Sequence, residues 1–348
     1  MPVINQISLT GFRSYANAEF SFDADRILLL GKNGSGKSNL LEAIGFLSVL
    51  RSFRGARTRE LFRIGESSFT ISAGVRINGV SERLTVREDA SAPGKRELFI
   101  GQARIARASE FIREFRVVSF APEDHLLASG SSACRRRFFD MLISMLSPEY
   151  FQALSRYQRA LAQRNKALKF RAGEVAQSFE EELAEQAVFI MQCRREVLAQ
   201  VASKVQSLLG GRYDFSAVPR FSLPEDLPAA AEKLASSLDS DLKRGCTQSG
   251  PQQDDFDFKL EKRSLRYCGS NGQHRLLSLL LKLAGFDLIR SSSAKPVVVI
   301  ADDVIGELDQ ENRQLFYRHI AGADQIFFAA AAMPSDDFFK DIRVIELV

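Results

Sequence analysis

The sequence is poor in the residues that build disulfide frameworks and zinc sites. Its 348 residues include only four cysteines and three histidines. The cysteines are scattered without a CxxC pair, and the histidines form no cluster along the chain. A disulfide framework and a zinc site are therefore not expected, and a reducing compartment is favoured.

Long apolar runs and a strong charge imbalance are also lacking. The most apolar stretch, at 276–289, is interrupted by Lys282 and Asp287, so no membrane-spanning segment or membrane partner is predicted. Residues 1–15 lack the basic-then-apolar pattern of a secretory signal. The net charge is +4, which is too small to identify a nucleic-acid partner without local clustering. We expect a soluble, cytoplasmic protein.

The periodicity of apolar residues divides the chain into three zones. Residues 1–130 alternate like paired strands, and residues 131–235 are predicted to be helical. In that helical zone an apolar stripe from 183 to 201 includes either Cys193 or Arg194. Residues 236–348 return to an α/β pattern.

The third zone contains the clearest single elements. A long helix is predicted from Gln273 to about Arg290, and strands are predicted at 297–300 and 325–330. The sequence therefore predicts an α/β fold whose mixed or parallel sheet core is split by a helical arm.

A glycine-rich loop follows the apolar strand 27–30. It reads GKNGSGKS and matches the phosphate-loop pattern GxxxxGK[ST] in full. Backbone N–H groups in such a loop bind phosphate oxygens, the lysine reaches the β- and γ-phosphates, and the final serine ligates Mg²⁺. A glycine-rich turn with an incidental lysine is disfavoured, because both the strand and the helix fit. The candidate residues are Gly31, Lys32, Asn33, Gly34, Ser35, Gly36, Lys37, Ser38 and Asn39.

Two carboxylates directly follow the predicted strand at 297–300. Asp302 is expected to hold Mg²⁺, and Asp303 is expected to polarise the attacking water. Two acidic residues opening a loop would be equally plausible alone, but the complete phosphate loop favours the catalytic interpretation.

Ser270, Gly272 and Gln273 lie just before the long helix, in the order S-x-G-Q. One interpretation is a helix N-cap, which any helix needs. The other is a phosphate-binding helix start that reaches the nucleotide of another subunit. The motif alone does not decide between them.

The order of these motifs resembles the ABC-type ATPase heads of the SMC, Rad50 and RecF group. Several further segments resemble the RecF family in particular, and the short helical insert agrees with it. These segments are ISLTGFRSYANAEFSF at 7–22, GKNGSGKSNLLEAI at 31–44, LRSFRG at 50–55, VVSFAPEDHLLASGSSACRRRFFD at 117–140, YQRALAQRNKALK at 157–169 and KRGCTQSGPQQDDFDF at 243–258.

The resemblance implies a two-lobed ATPase head that uses ATP and Mg²⁺ and forms an ATP-dependent homodimer. Residues 1–130 and 236–348 would be the two ATPase lobes, and 131–235 the helical lid. Ser270, Gly272 and Gln273 would then contact ATP in trans. Arg13 would lie near the nucleotide, Glu123 would contact Mg²⁺ or water, and the segment Gly306-Glu307-Leu308-Asp309 would communicate across the dimer.

Four features depart from the family pattern. Gln252 and Gln253 replace a histidine and an arginine, and Ala329–Ala332 offer no polar switch side chain after the strand at 325–330. Ala301 replaces the more apolar residue usually found before the two aspartates. Asp303 stands where most ABC ATPases have a glutamate. Because aspartate is one methylene shorter, we hypothesise slow hydrolysis, in which ATP acts as a clamp-closing timer.

Basic residues in the helical zone are candidate DNA contacts, because lysine and arginine neutralise phosphates without reading sequence. A solvated helix face is the alternative, and the arginines at 135–137 could instead brace the ATP site. Few aromatic residues interleave with them, so duplex DNA is favoured over base stacking. The candidates are Arg135, Arg136, Arg156, Arg159, Arg164, Lys166 and Lys169, with Arg137 and Arg171 nearby.

The resemblance therefore implies a nucleoid-associated, weakly DNA-stimulated ATPase of gap repair and replication restart, with RecR- and RecO-type partners. Its DNA would be duplex, gapped or a single-/double-strand junction. An SMC-like head that only bridges DNA is the alternative, although the chain has no long coiled coil. A transporter subunit would need an LSGGQ signature and a histidine switch, which this sequence lacks.

Overall fold

The computed structural model describes residues 2–77, 79–91, 96–112, 114–292 and 294–347. The chain forms two compact units, one made of Met1–Asp124 with Gly285–Val348 and the other of His125–Ala284. Within the described residues, no helix combines the length and apolarity needed to cross a membrane.

Strands occur in both units. They are β1 (Ile4–Phe12), β2 (Tyr15–Ser21), β3 (Arg26–Leu30), β4 (Ser68–Ile77), β5 (Val80–Asp89), β6 (Arg96–Ile100), β7 (Ala103–Ile105), β8 (Arg116–Phe120), β9 (Phe215–Arg220), β10 (Asp255–Leu260), β11 (Arg263–Ser264), β12 (Val297–Asp302), β13 (Gln325–Ala330) and β14 (Arg343–Glu346).

Helices occur in both units and are more frequent in the second. They are α1 (Lys37–Val49), α2 (Ala108–Phe111), α3 (Leu126–Ser129), α4 (Ser132–Leu146), α5 (Pro148–Lys169), α6 (Gly173–Gln177), α7 (Glu180–Leu209), α8 (Leu227–Ser236), α9 (Leu238–Arg244), α10 (Leu265–Cys268), α11 (Asn271–Ser292) and α12 (Gln310–Ile320). Short 3₁₀ turns occur at Thr58–Glu60, Pro122–His125, Ile305–Glu307 and Asp337–Phe339.

The first unit contains two sheets, as traced over its described residues. One is antiparallel in the order β2-β1-β4-β5-β6-β7, and the other is parallel in the order β14-β3-β13-β12-β8. Helix α1 contacts β1 and β5 of the first sheet and β8, β12 and β13 of the second, so its residues are almost all buried. Strands β8 and β12 are buried along their whole length, as expected for a parallel sheet covered on both faces.

The topology of the parallel sheet positions the site. Strands β3 and β12 flank β13, and all three run in the same direction. The carboxyl ends of β3 and β12 therefore lie at one edge of the sheet, where ligands bind in open parallel sheets.

The second unit combines a helical arm with the small antiparallel sheet β11-β10-β9. Helices α4, α5 and α7 pack on one another, and α4 also packs on β10. The apolar stripe of α7 contains Leu183, Ala187, Ile190 and Val197, and Arg194 rather than Cys193 occupies the buried position.

The α/β architecture and the main elements predicted from the sequence are confirmed. The predicted strands at 297–300 and 325–330 are β12 and β13, and the predicted long helix is α11. The helical prediction is wrong at Phe215–Arg220, where β9 pairs with β10 and exposed residues alternate with less exposed ones. Residues 236–284 lie in the same unit as the arm. Their assignment to a second ATPase lobe stays a prediction.

Candidate nucleotide-binding site

The phosphate loop connects β3 to α1. Gly34 and Gly36 have φ angles of 89° and 97°, in the left-handed region that glycine tolerates best. A Cβ atom at Gly36 would lie 2.5 Å from the hydroxyl oxygen of Tyr15, which donates a hydrogen bond to the Gly36 carbonyl at 3.1 Å. Because glycine is also the N-cap of α1, no cap side chain competes for the first N–H groups of this helix.

Two polar side chains of the loop, those of Lys37 and Ser35, are turned inward, whereas Lys32 and Asn33 are exposed. The Lys37 Nζ donates to the carbonyl oxygens of Gly31 at 2.7 Å and Lys32 at 3.0 Å, and the residue is buried. The Oγ of Ser35 is buried without a hydrogen-bond partner. Buried polar atoms rarely stay unpaired, so an external acceptor such as a phosphate oxygen would satisfy this hydroxyl.

Ser38 joins the phosphate loop to the carboxylate strand. Its Oγ donates to Oδ1 of Asp302 at 2.8 Å, across 264 positions of sequence. Burial raises the pKa of the Asp302 carboxyl, and the hydrogen bond from Ser38 only partly offsets that effect. The carboxylate is thus short of positive charge, which is the state in which a cation is most stabilising.

Other charges surround Asp302. Asp303 and Glu123 act with burial to raise its pKa, whereas Arg54 acts in the opposite sense. Glu123 lies in the 3₁₀ turn that follows β8, next to β12 in the sheet. Asp303 is exposed and has a φ of 50°, so the backbone turns sharply as β12 ends.

The alanine run after β13 borders an open pocket beside Asp303. The pocket has a volume of about 380 Å³ and is lined by Gly306, Arg313, Asp336 and the run Ala329–Ala332. Arg313 donates from Nε to the Leu308 carbonyl at 3.1 Å and from Nη1 to Asp336 at 3.3 Å. The alanines provide no side-chain donor, so Arg313 is the cation that this pocket presents near Asp303.

Arg13 is held by the helix that follows the phosphate loop. Its Nε and Nη2 donate to the two carboxylate oxygens of Glu42, at 2.7 and 2.9 Å. Glu42 is fully buried and also accepts a hydrogen bond from Ser52. Sequence reasoning did not single out Tyr15, Glu42, Ser52 or Arg54. Their only signal was their place in the segments that resemble RecF.

The S-x-G-Q segment forms a capping box in the second unit. The Ser270 Oγ accepts from the N–H of Gln273 at 3.2 Å, and the Gln273 Oε1 accepts from the N–H of Ser270 at 2.9 Å. The N-cap interpretation is therefore confirmed. Ser270 and Gly272 are nevertheless exposed, so the contact with a second subunit's nucleotide stays a prediction.

Asp309 also acts as a helix cap. Its Oδ1 accepts from the N–H of Asn312 at 2.8 Å, and its Oδ2 accepts from the Asn312 side chain at 2.9 Å. The residue is exposed, at the start of α12. Its expected role across a dimer stays a prediction.

Two of the DNA candidates are buried, which corrects the sequence prediction. Arg135 is 2% exposed and donates to both carboxylate oxygens of Asp255. Although burial alone would raise it, hydrogen bonds from Arg135 and a backbone N–H hold the pKa of Asp255 below its ordinary value. Arg164 is fully buried and contacts Asp241 and Glu180.

The remaining candidates divide by exposure. Arg136 is half-buried and donates to the Asp254 carbonyl at 2.6 Å. Four others are exposed on α5, namely Arg156, Arg159, Lys166 and Lys169. Helical spacing could have predicted that Arg164 is buried, because it lies four residues after buried Ala160 and three before buried Ala167.

The polar groups of this site fit a nucleoside triphosphate bound with Mg²⁺. The loop supplies Lys37, open N–H groups at α1 and an unpartnered Ser35 hydroxyl, while Ser38 and Asp302 supply two oxygens at one point. Over the described ranges, no group of three or more His, Cys, Asp or Glu residues could hold a metal alone. Mg²⁺ binds through one or two carboxylates together with substrate phosphates, and Asp302 beside Ser38 suits that mode of binding.

Comparisons with known proteins agree with this geometry. Residues 3–333 match the family model described as "RecF/RecN/SMC N terminal domain". A protein named DNA replication and repair protein RecF from Lactobacillus delbrueckii subsp. bulgaricus is 32% identical, over 95% of this chain and 91% of its own length. One of the same name from Acidothermus cellulolyticus is 31% identical, over 96% and 95%.

Solved structures of RecF proteins are also similar to this chain. The structure of the recombination mediator protein RecF-ATP in the RecFOR pathway aligns with a TM-score of 0.86 and 26% identity, over 96% of this chain and 93% of the other. A second RecF structure, described as RecF-ATPrS in the same pathway, aligns with a TM-score of 0.87 over 99% and 96%.

Proposed function

Because this chain belongs to the RecF family, within the wider family of RecF/RecN/SMC N-terminal domains, we propose that it is an ATP-dependent DNA-binding protein of recombinational gap repair and replication restart. The relatives are named for DNA replication and repair, and the matching structures are described with ATP or ATPrS in the RecFOR pathway. ATP is thus the expected nucleotide, and RecR- and RecO-type proteins are the expected partners.

The hydrogen bond between Ser38 and Asp302 carries the proposal. It brings the last residue of the phosphate loop to 2.8 Å from the buried carboxylate at the end of β12. Bound Mg²⁺ would neutralise phosphate charge at this point. Lys37, Ser35 and the start of α1 would bind the phosphates, and Asn39 lies in the first turn of the same helix.

ATP is proposed to join two copies of the chain. Ser270, Gly272 and Gln273 are exposed or half-buried at the start of α11, where N–H groups and the helix dipole favour an anion. A second copy would bring this segment to the γ-phosphate and close a clamp on DNA. The clamp would help to load a recombinase on gapped DNA.

Hydrolysis is proposed to be slow and to open the clamp. Asp303 is shorter than the usual glutamate, and the alanine run beside it lacks a polar side chain to order water. Both features reduce the positioning on which phosphoryl transfer depends. Turnover of many ATP molecules per second would contradict this part of the proposal.

Sedimentation velocity tests the clamp. The wild-type chain is expected to be monomeric without nucleotide and dimeric with ATP and Mg²⁺, whereas Ser270→Arg binds ATP but stays monomeric. Ser236→Arg, at an exposed serine of α8, is the matched control and is expected to dimerise. Lys37→Met is expected to lose ATP binding and dimerisation together.

Two outcomes would overturn the clamp. Wild-type protein that binds ATP without any change in mass excludes an ATP-dependent dimer. Dimerisation of Ser270→Arg excludes the trans role of the S-x-G-Q segment. Bridging of duplex DNA by the dimer without recombinase loading, and without any effect of a RecR-type partner, would instead favour a DNA-bridging head.

A further inference from the structure

The tip of the helical arm exposes an aromatic side chain. We define the arm tip as residues 166–177 and 238–245, which contain the end of α5, helix α6 and helix α9. These segments share a small apolar cluster in which Ala172, Leu238 and Leu242 pack on Ala167, Leu168 and Ala176. Phe170 lies outside the cluster and is 76% exposed.

The backbone at this tip has an uncommon conformation. Helix α5 ends in a Schellman motif, in which the N–H of Arg171 donates to the Leu168 carbonyl and that of Ala172 to the Ala167 carbonyl, both at 3.0 Å. Arg171 has a φ of 55° at a position where glycine is usual. Leu50 ends α1 in the same region, so the conformation belongs to the helix end, where it places Arg171 directly after Phe170 at the exposed tip.

Positive charge surrounds Phe170. The exposed cations of the tip are Lys166, Lys169, Arg171, Lys243 and Arg244. Two carboxylates of the tip, Glu174 and Asp239, are exposed. A further carboxylate, Asp241, is buried and paired with Arg164. The exposed charge of the tip is therefore positive. Within the described part of the chain, Lys169 and Arg171 form no ion pair, so both remain available to phosphates.

The two segments of the tip approach each other where α5 and α9 end. A Cβ atom built on Gly245, next to Arg244, would lie 3.7 Å from Cγ of Lys169. Both helix ends therefore contribute basic residues to the same tip. An exposed aromatic ring among cations is the combination that binds unpaired nucleotides, because the ring stacks on a base and the cations bind the flanking phosphates.

We infer that the arm tip binds a single-stranded nucleotide next to duplex DNA, with Phe170 stacked on the unpaired base and Lys169 and Arg171 on its phosphates. This inference rests on the proposed function and specifies the form of its DNA. The sequence pattern favoured plain duplex, because few aromatic residues lie among the basic ones. The structure shows that one exposed ring stands at the end of the basic helix.

DNA binding by the full chain with ATP and Mg²⁺ tests the inference. The probes are a blunt duplex and the same duplex with a short single-stranded extension, whose first unpaired base is 2-aminopurine. Wild-type protein is expected to bind the extended DNA about 5- to 150-fold more tightly and to quench its fluorescence, as stacking on one base predicts. Phe170→Ala is expected to bind both DNAs equally.

Further variants separate stacking from apolar docking. Phe170→Trp is expected to keep the preference, whereas Phe170→Leu loses it because leucine has no π face. Phe189→Ala, at a partly exposed ring on α7 outside the tip, is the matched control. Lys169→Gln and Arg171→Gln should each weaken binding to the extended DNA more than to the blunt duplex, and should lower the salt slope for the extended DNA by about 1.

The outcomes distinguish the inference from the proposed function. If Phe170→Ala keeps the wild-type preference, or if the wild type shows none, the inference is wrong while duplex binding still supports the function. If Phe170→Ala still binds DNA but no longer binds a purified RecR-type protein, the tip is a protein-docking surface and the inference is again wrong. If the wild type binds ATP but neither DNA, the proposed function itself fails.

Discussion

The phosphate loop and the helical arm use charged residues in opposite ways. In the arm, Arg164 and Arg194 are buried and their guanidinium groups are held by carboxylates at 2.7–3.1 Å. In the loop, Lys37 contacts only backbone carbonyls, and the Ser35 hydroxyl has no hydrogen-bond partner.

The two regions differ in whether each buried charge is paired with an opposite charge. The arm's arginines are paired with carboxylates, so these side chains hold helices together and have little charge left to offer to a ligand, although the Nε of Arg164 is buried without a hydrogen-bond partner among the described residues. In the other unit, burial raises the pKa of Asp302 by more than Ser38 and Arg54 lower it, so the charge of this carboxylate costs stability in the folded protein. In this protein, a buried charge that is not neutralised by an opposite charge therefore marks the candidate site, whereas a buried charge that is paired with an opposite charge holds the fold together.

Removing one arginine from the arm is expected to have the largest effect on folding. Arg164→Met leaves the buried Asp241 and the partly buried Glu180 without their cation, which should lower the free energy of unfolding by about 3–5 kcal/mol. Denaturant unfolding without nucleotide measures this change.

Arg159→Met is the matched control for that variant. Arg159 is exposed on the same helix, and its Nε contacts only the Ser155 carbonyl at 3.3 Å. This substitution should change the free energy of unfolding by less than about 0.5 kcal/mol. Equal losses in the two variants would show that burial and pairing do not distinguish these arginines.

Sequence patterns were sufficient for the parts of the fold that depend on local rules. The phosphate loop, β12, β13 and α11 each combine a strong periodicity with a recognisable motif, and each lies where it was predicted. The order of the parallel sheet, with β13 between β3 and β12, depends on pairings between distant segments. No local pattern encodes such pairings.

The sequence predicted which residues belong to the candidate site, but it did not predict which of them form hydrogen bonds or ion pairs with one another. Ser38 and Asp302 could be identified from their motifs, but the bond between them spans most of the chain. Among the arm's basic residues, composition could not separate paired from free arginines, because Asp241 lies 77 residues from Arg164. Partner identity is a tertiary property, and only helical spacing indicated which arginine was buried.

Asp309 sharpens the comparison because it is both a structural cap and a predicted dimer contact. Asp309→Ala should lower the free energy of unfolding by about 0.5–2 kcal/mol, since the N–H of Asn312 loses its acceptor. Asp309→Asn keeps a capping oxygen and should unfold like the wild type. If Asp309→Asn is stable yet fails to dimerise with ATP, the charge serves the dimer. If it dimerises normally, the residue is only a cap.

Asp302→Asn is expected to give the smallest effect on folding, with the opposite sign. The amide keeps an oxygen for the Ser38 hydroxyl and removes a desolvated charge, so the nucleotide-free protein should gain stability, on the order of 1 kcal/mol or less. Binding of ATP with Mg²⁺ should weaken in the same variant, because a carboxylate ligand is lost. Thermal unfolding in a chelating buffer and ATP titration measure the two effects.

The pH dependence of that gain tests its cause. Burial raises the pKa of Asp302 in the folded protein above its unfolded value, so the folded state binds this proton more tightly. The cost of the charge is therefore full at neutral pH and disappears as the pH falls through the raised pKa toward the ordinary aspartate range. The advantage of Asp302→Asn over the wild type should shrink over the same interval. A gain that does not vary with pH would mean that the variant acts through packing, and that the carboxylate is not the unneutralised charge that distinguishes this site from the arm.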